Sequence, residues 1–254
     1  MLKIRIIPTL LWKTFGLVKG VGFDSWRRVG PVLPAVKVYN QREVDELILL
    51  DIAATLEGRD PDYEGIQEIS SDCFVPLTVG GGITNLYQAQ NLLRAGADKI
   101  CLNTITYSKP DLITKISEKH GNQCVIVSVD VRKIDNIYEC FSHNGKIRTG
   151  KNVVEWVQEL EKKGAGELIL TSIDLDGTMK GYDFDLLKTV AKIVRIPVIA
   201  SGGAGDYSHM IKAIQECGAS AVAAASMFHF TEQTPYEAKT ELKKSGIPVR
   251  EKIK

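Results

Sequence analysis

The sequence predicts an α/β fold, a single (β/α)8 TIM barrel built from two similar halves, and three observations predict it. The length of 254 residues is that of one such barrel. Short apolar runs alternate with amphipathic helical stretches along the whole chain, as strands alternate with helices around a parallel sheet. The third observation is an internal repeat. Pro76-Leu77-Thr78-Val79-Gly80-Gly81-Gly82 matches Pro197-Val198-Ile199-Ala200-Ser201-Gly202-Gly203, 121 positions further on. Each copy is followed by a helical stretch, by Ala95-Gly96-Ala97 or Cys217-Gly218-Ala219, and by another apolar run ending in Asn103-Thr104 or Ala225-Ser226. Glycines at a strand's C-terminal end let backbone N–H groups approach an anion. The repeat therefore predicts two phosphate cradles and a ligand with a phosphate at each end.

The elements follow in order. Residues 4–9 form a first strand; the apolar patch from Ile6 to Trp12, tightly bracketed by Lys3, Arg5 and Lys13, is too short to span a membrane and no small-residue cleavage site follows it. Strands at 46–52, 76–79, 99–102, 124–129, 167–172, 197–200 and 221–224 are near-continuous apolar runs, the pattern of strands buried on both faces. Two connections exceed a minimal loop. Residues 13–34 are rich in glycine and basic residues, and residues 132–150 alternate around His143-Asn144-Gly145, which predicts a small hairpin with a tight turn. Active sites of barrels lie at the C-terminal strand ends, so both are candidate lids. No low-complexity linker divides the halves, and residues 1–254 are taken as one domain.

Composition narrows the function. Hydrophobic residues make up 44% and charged residues 25%, enough for one large core. A net charge of +1 gives no bulk attraction to nucleic acid or to an anionic membrane. The five cysteines, Cys73, Cys101, Cys124, Cys140 and Cys217, are scattered and never form a C-x-x-C pair, which fits a reducing cytosol and argues against zinc. The reading requires no metal and no cofactor.

Carboxylates at strand C-termini are the sharpest candidates for chemistry. Asp51 ends the second strand, Asp130 the fifth, and Asp174 and Asp176 follow the sixth. Each also suits a helix cap or a solvated loop, but together they converge on one barrel mouth. Asp130 follows an all-apolar strand, so its carboxylate belongs at the rim of a dry core, a setting that tunes proton transfer. Lys19, in the first long loop, is either a phosphate clamp or an ordinary solvated loop lysine. Thr104, Thr171, Ser201 and Ser226 stand beside the cradles, where a hydroxyl either adds a donor or bonds nearby main chain. At the opposite end, Arg5, Glu46, Lys99 and Glu167 stand at strand starts. They are either ordinary floor charges or a ring of ion pairs plugging the barrel, and a ring suggests a gate, because such pairs contribute little net stability.

Over nearly its full length the chain resembles the cyclase subunit of imidazole glycerol phosphate synthase. The resemblance is carried by Asp45-Glu46-Leu47 to Asp51, Thr78-Val79-Gly80-Gly81-Gly82-Ile83, Gly96-Ala97-Asp98-Lys99, Leu170-Thr171-Ser172-Ile173-Asp174 with Asp176-Gly177-Thr178, Gly181-Tyr182-Asp183 and Ile199-Ala200-Ser201-Gly202-Gly203-Ala204-Gly205. It implies a duplicated half-barrel of the ribulose-phosphate-binding type, with a bisphosphorylated ribonucleotide bound across the mouth by residues including Gly82, Asn103, Gly177, Gly202 and Gly203. It implies that Asp130 is a general acid/base, that Arg5, Glu46, Lys99 and Glu167 gate ammonia, and that Asp98 contacts a glutaminase. By the same resemblance a second catalytic aspartate belongs at position 11, where this chain has Leu11. The repeat points there too, since the first-half counterpart of Asp130 lies 119 residues earlier. Thr9 stands where the family usually has Cys, Thr14 where it has Asp, and Gly30-Pro31 where it has Gly-Asp-Pro. A leucine exchanges no proton, so impaired ring closure is expected. The resemblance then implies a second copy of the kind that works beside an ATP-dependent sugar amidotransferase, supplying ammonia for sugar amidation in surface-polysaccharide synthesis. Two alternatives stand beside it: a cyclase of histidine biosynthesis, and a silent scaffold that activates the glutaminase.

Overall fold

The structure is a computed structural model that describes residues 3–14 and 16–251; residues 1, 2, 15 and 252–254 lie outside the described part of the expected 1–254 domain. The described residues form twelve strands: β1 (Arg5–Lys13), β2 (Gly16–Val21), β3 (Asp24–Gly30), β4 (Leu47–Asp51), β5 (Leu77–Gly80), β6 (Lys99–Leu102), β7 (Val125–Ile134), β8 (Ile137–Ser142), β9 (Ile147–Asn152), β10 (Glu167–Ser172), β11 (Val198–Ser201) and β12 (Ala221–Ala224). Eight of them, β1, β4, β5, β6, β7, β10, β11 and β12, pair in parallel in that order, and β12 pairs back onto β1. The sheet closes, as the alternating pattern predicts.

Pro8 sits inside β1 without breaking it. β1 pairs with β12 through Arg5–Pro8 and with β4 from Thr9 onward, so the missing N–H falls where the strand changes partner. Between the strands, helices such as Tyr63–Ser71, Leu86–Arg94, Val153–Lys162, Phe184–Ala191, Tyr207–Gln215 and Pro235–Lys244 cover the barrel. Each begins at an Asp, Asn or Thr (Asp62, Asn85, Asn152, Asp183, Asp206, Thr234) whose side chain accepts a bond from a first-turn N–H. Such caps stabilise a helix by about 1 kcal/mol each.

Alternation along the strands makes two apolar layers. Outward residues such as Leu10, Leu47, Leu77 and Val127 pack under the helices, while Ile7, Ile48, Cys101, Ile126, Ile169 and Ile199 fill the barrel itself. This inner layer separates the floor from the mouth.

Two strands run past their expected ends. β1 reaches Lys13 and β7 reaches Ile134, each continuing out of the barrel into an antiparallel hairpin. The hairpin expected around His143-Asn144-Gly145 is present as β8–β9, with positive φ at all three residues (51°, 57° and 73°). The first connection, expected as a loop, is itself the hairpin β2–β3. Its turn is Gly22-Phe23, with φ of 62° and 65°. A phenylalanine at a left-handed turn position gives no sequence signal, which is why this hairpin was hidden.

Candidate active site

One cavity of about 620 Å³ lies inside the ring of strand C-termini and takes its lining from both halves of the barrel. Its base is the inner apolar layer, at Ile48, Cys101 and Ile169.

Asp130 faces this cavity from β7, at the point where the strand leaves the barrel. Five buried residues, Val125 to Val129, bring it there, and it is itself buried. Asn103 Nδ2 donates to Asp130 Oδ2 at 2.6 Å, and the Ser128 hydroxyl donates to Oδ1 at 3.3 Å. Burial pushes the carboxyl up to about 7; the two hydrogen bonds oppose the shift and nearby Asp176 adds to it. A carboxyl poised near neutrality gives or takes a proton with little penalty. Beside it, Asn103 Oδ1 is buried and has no partner among the described residues, an acceptor open to a ligand N–H or O–H.

The two glycine cradles share one geometry. Gly81 and Gly82 have φ of 110° and 69°, and Gly202 and Gly203 have 83° and 105°. A Cβ at Gly82 would stand 2.8 Å from the Arg59 carbonyl oxygen, and one at Gly203 would land on that of Gly181. After β6 and β12 the chain enters matching short helices, Thr104–Ser108 and Ser226–Phe230. Gly82, Asn103, Thr104, Ser201, Gly202, Gly203 and Ser226 all line the cavity, with Thr171 and Gly177 between the two cradles.

Several expected site residues are placed differently. Lys19 is not a solvated loop lysine: it lies on β2, 3% exposed, and forms an ion pair with Asp176. Burial raises the Asp176 carboxyl and Lys19 opposes the shift. Asp51 lines the cavity, but it also serves as a cap: Oδ1 accepts from Ala53 N and Ala54 N at 3.0 Å, and Arg59 pairs with Oδ2 at 2.9 Å. Thr104 Oγ1 accepts from His143 N at 3.0 Å, a main-chain bond that leaves its O–H available to donate. Asp174 does not join the mouth; it is exposed and faces Arg132 at 3.6 Å. Leu11 lines the cavity from β1, 9% exposed and paired across the sheet with Leu50.

At the floor, Arg5, Glu46, Lys99 and Glu167 form a closed ring of ion pairs. Arg5 reaches Glu46 at 2.7 Å and also pairs with Glu167; Lys99 lies 2.9 Å from Glu46 and 3.4 Å from Glu167. Glu46 is 1% exposed and also accepts from the Thr78 hydroxyl at 2.8 Å. Asp98 lies at the same end, exposed, with Oδ2 accepting from Leu77 N at 2.8 Å.

The histidine biosynthesis protein family matches residues 5–234. The chain belongs to that family. It is 44% identical to the imidazole glycerol phosphate synthase subunit HisF of Chlorobaculum tepidum over 250 residues, covering 98% of this chain and 100% of the relative. The HisF subunits of Chlorobium limicola, at 45% with the same coverage, and of Hyphomonas neptunium, at 47% with 98% and 99% covered, are similar. In this histidine biosynthesis family member, sequence reasoning passed over His143, read only as a turn residue. It lines the cavity, and the usable signal was a titratable side chain on a hairpin at a barrel mouth. Among the described residues no helix is long and apolar enough to cross a membrane.

Proposed function

We propose that this chain is the ring-closing subunit of an imidazole glycerol phosphate synthase. In this reading a glutaminase docks on the barrel floor around Asp98, ammonia passes the ring of Arg5, Glu46, Lys99 and Glu167, and a bisphosphorylated ribonucleotide spans the mouth. The observation that carries it is one cavity joining two repeated glycine cradles to a proton-active Asp130, at the opposite end of the barrel from a closed ring of charges. The relatives support it, since each is named as a synthase subunit. Residues 1–254 act as one domain in the cytosol, without metal or cofactor. Gly82, Asn103 and Thr104 hold one phosphate, and Thr171, Gly177, Ser201, Gly202, Gly203 and Ser226 hold the other. The buried Lys19–Asp176 pair, together with Asp51, borders the reacting centre between them.

Leu11 favours a second reading, in which the ammonia serves a different acceptor, such as a sugar handled by an ATP-dependent amidotransferase in surface-polysaccharide synthesis. The names of the relatives back the histidine reading over this one. Growth rescue of a histidine auxotroph lacking the cyclase subunit, with turnover of the ribonucleotide and ammonium by purified protein, separates them. Rescue and ring closure are expected. Glutaminase stimulation without either result would transfer the assignment to the second reading.

A further inference from the structure

The mouth holds a second ionisable group placed to work with Asp130. Asp130 is bound by Asn103, and His143 N donates to Thr104 Oγ1, so two consecutive residues at the end of β6 hold both groups. Both line the same cavity. The β7–β8 ladder sets this up: Asp130 pairs with Phe141, which puts His143 two residues beyond, at the hairpin tip over the mouth. Asn144 Nδ2 anchors that tip by donating to Ile52 O at 2.6 Å, across the mouth on the β4 side.

Other titratable groups around the cavity are already committed. Lys19 and Asp176 pair with each other, Asp51 with Arg59, and Arg148 with Glu139. Burial pushes the Cys101 thiol up to about 12 and holds the Tyr107 phenol well above its ordinary range. His143 differs from all of these. Its Nδ1 lies 3.0 Å from the buried Ser142 hydroxyl, and Nε2 has no hydrogen-bond partner among the described residues. A hydroxyl donates to Nδ1 or accepts from it equally well. It therefore tolerates either tautomer and leaves Nε2 free to present a lone pair or an N–H.

The backbone supports the same view. His143 and Asn144 both take positive φ, the conformation the tight β8–β9 turn requires, and that turn fixes His143 at the hairpin tip.

We propose that the His143 imidazole is a second proton-handling group of the mouth, acting with Asp130 on one bound ligand. Nε2 takes a proton from a ligand nitrogen while the protonated Asp130 carboxyl gives one to a ligand oxygen, leaving imidazolium and carboxylate. Transfer in the reverse sense restores both, and the summed charge of the pair and ligand is unchanged throughout. The inference rests on the reading that the mouth is a reaction site.

Two measurements test it. The first is the pH–rate profile for ammonium-driven ring closure by wild type, His143→Asn and Asp130→Asn; asparagine keeps a residue that tolerates positive φ. We expect His143→Asn to lose about 10²–10³-fold in kcat and one limb of the profile, with KM little changed. Unchanged kcat with both limbs intact would overturn the proposal, whereas an unaffected Asp130→Asn would sink the mouth-chemistry reading instead. The second needs no turnover: NMR titration of the His143 imidazole in wild type and Asp130→Asn. If the two groups act together, loss of the carboxylate is expected to move the His143 midpoint downwards. An unmoved midpoint means that the two groups are not coupled, and it refutes the pair.

Discussion

At the scale of single residues, the mouth is governed by how burial treats charge. Asp130 has a folded-state pKa of about 7 against an ordinary 3.8, so the native state binds its proton more tightly than the unfolded chain does. The stability linked to that proton is therefore full below about pH 4 and is lost as pH rises through about 7, a swing of roughly 4 kcal/mol in all. Asp130→Asn is expected to be more stable than wild type at about pH 8, with the gap closing towards pH 4; urea denaturation at both ends checks this. A variant no more stable at high pH would mean that the carboxylate is better solvated than its burial implies. Asp130 was legible because an unbroken apolar run ends in a charge. Lys19 was misplaced, because sequence gave no sign that Asp176, 157 residues away, pairs with it inside the mouth. Asp174 was misassigned for a related reason: a single residue, Leu175, separates it from Asp176, and only the turn after β10 decides which carboxylate faces inward.

At the scale of elements, the repeat is the strongest statement in the chain. Glycine placement predicted two like turns at the strand ends, and the structure gives those turns matching positive-φ conformations and matching short helices. Gly203→Ala is expected to destabilise the fold by about 1–3 kcal/mol, since φ is 105° and a Cβ would meet the Gly181 carbonyl. Millimolar phosphate is expected to raise the thermal stability of the wild type and to lose that effect in the same variant. A phosphate response equal to that of wild type would argue that the second cradle does not hold an anion. The barrel strands were legible because parallel strands buried on both faces read as continuous apolar runs. The hairpin β2–β3 was not, because its turn uses Phe23 where Gly or Asn is usual. By contrast, β8–β9 announced itself through His143-Asn144-Gly145.

At the scale of the whole molecule, two polar ends are held apart by a layer of isoleucines. Glu46 is the keystone of the floor, nearly inaccessible and shared by Arg5, Lys99 and Thr78. Glu46→Ala leaves Arg5 and Lys99 to share Glu167 alone and the Thr78 hydroxyl without its acceptor, and is expected to cost about 1.5–3 kcal/mol in denaturant unfolding, with Glu46→Gln milder. In a complex with a glutaminase, both variants are expected to release glutamate faster than product forms. Tight coupling in both would mean that the ring does not meter ammonia. The other end is spanned by two flaps, one from each half. Arg27 of β3 stacks on Phe230, 4.1 Å from the ring centre, and Gly22 N donates to Asp176 O at 2.8 Å. The flaps meet where the Gly145 backbone lies so close to Phe23 that a Cβ there would stand 3.3 Å from the ring. A ligand held beneath that seam is expected to leave at a rate that depends on how readily the two opposing walls separate.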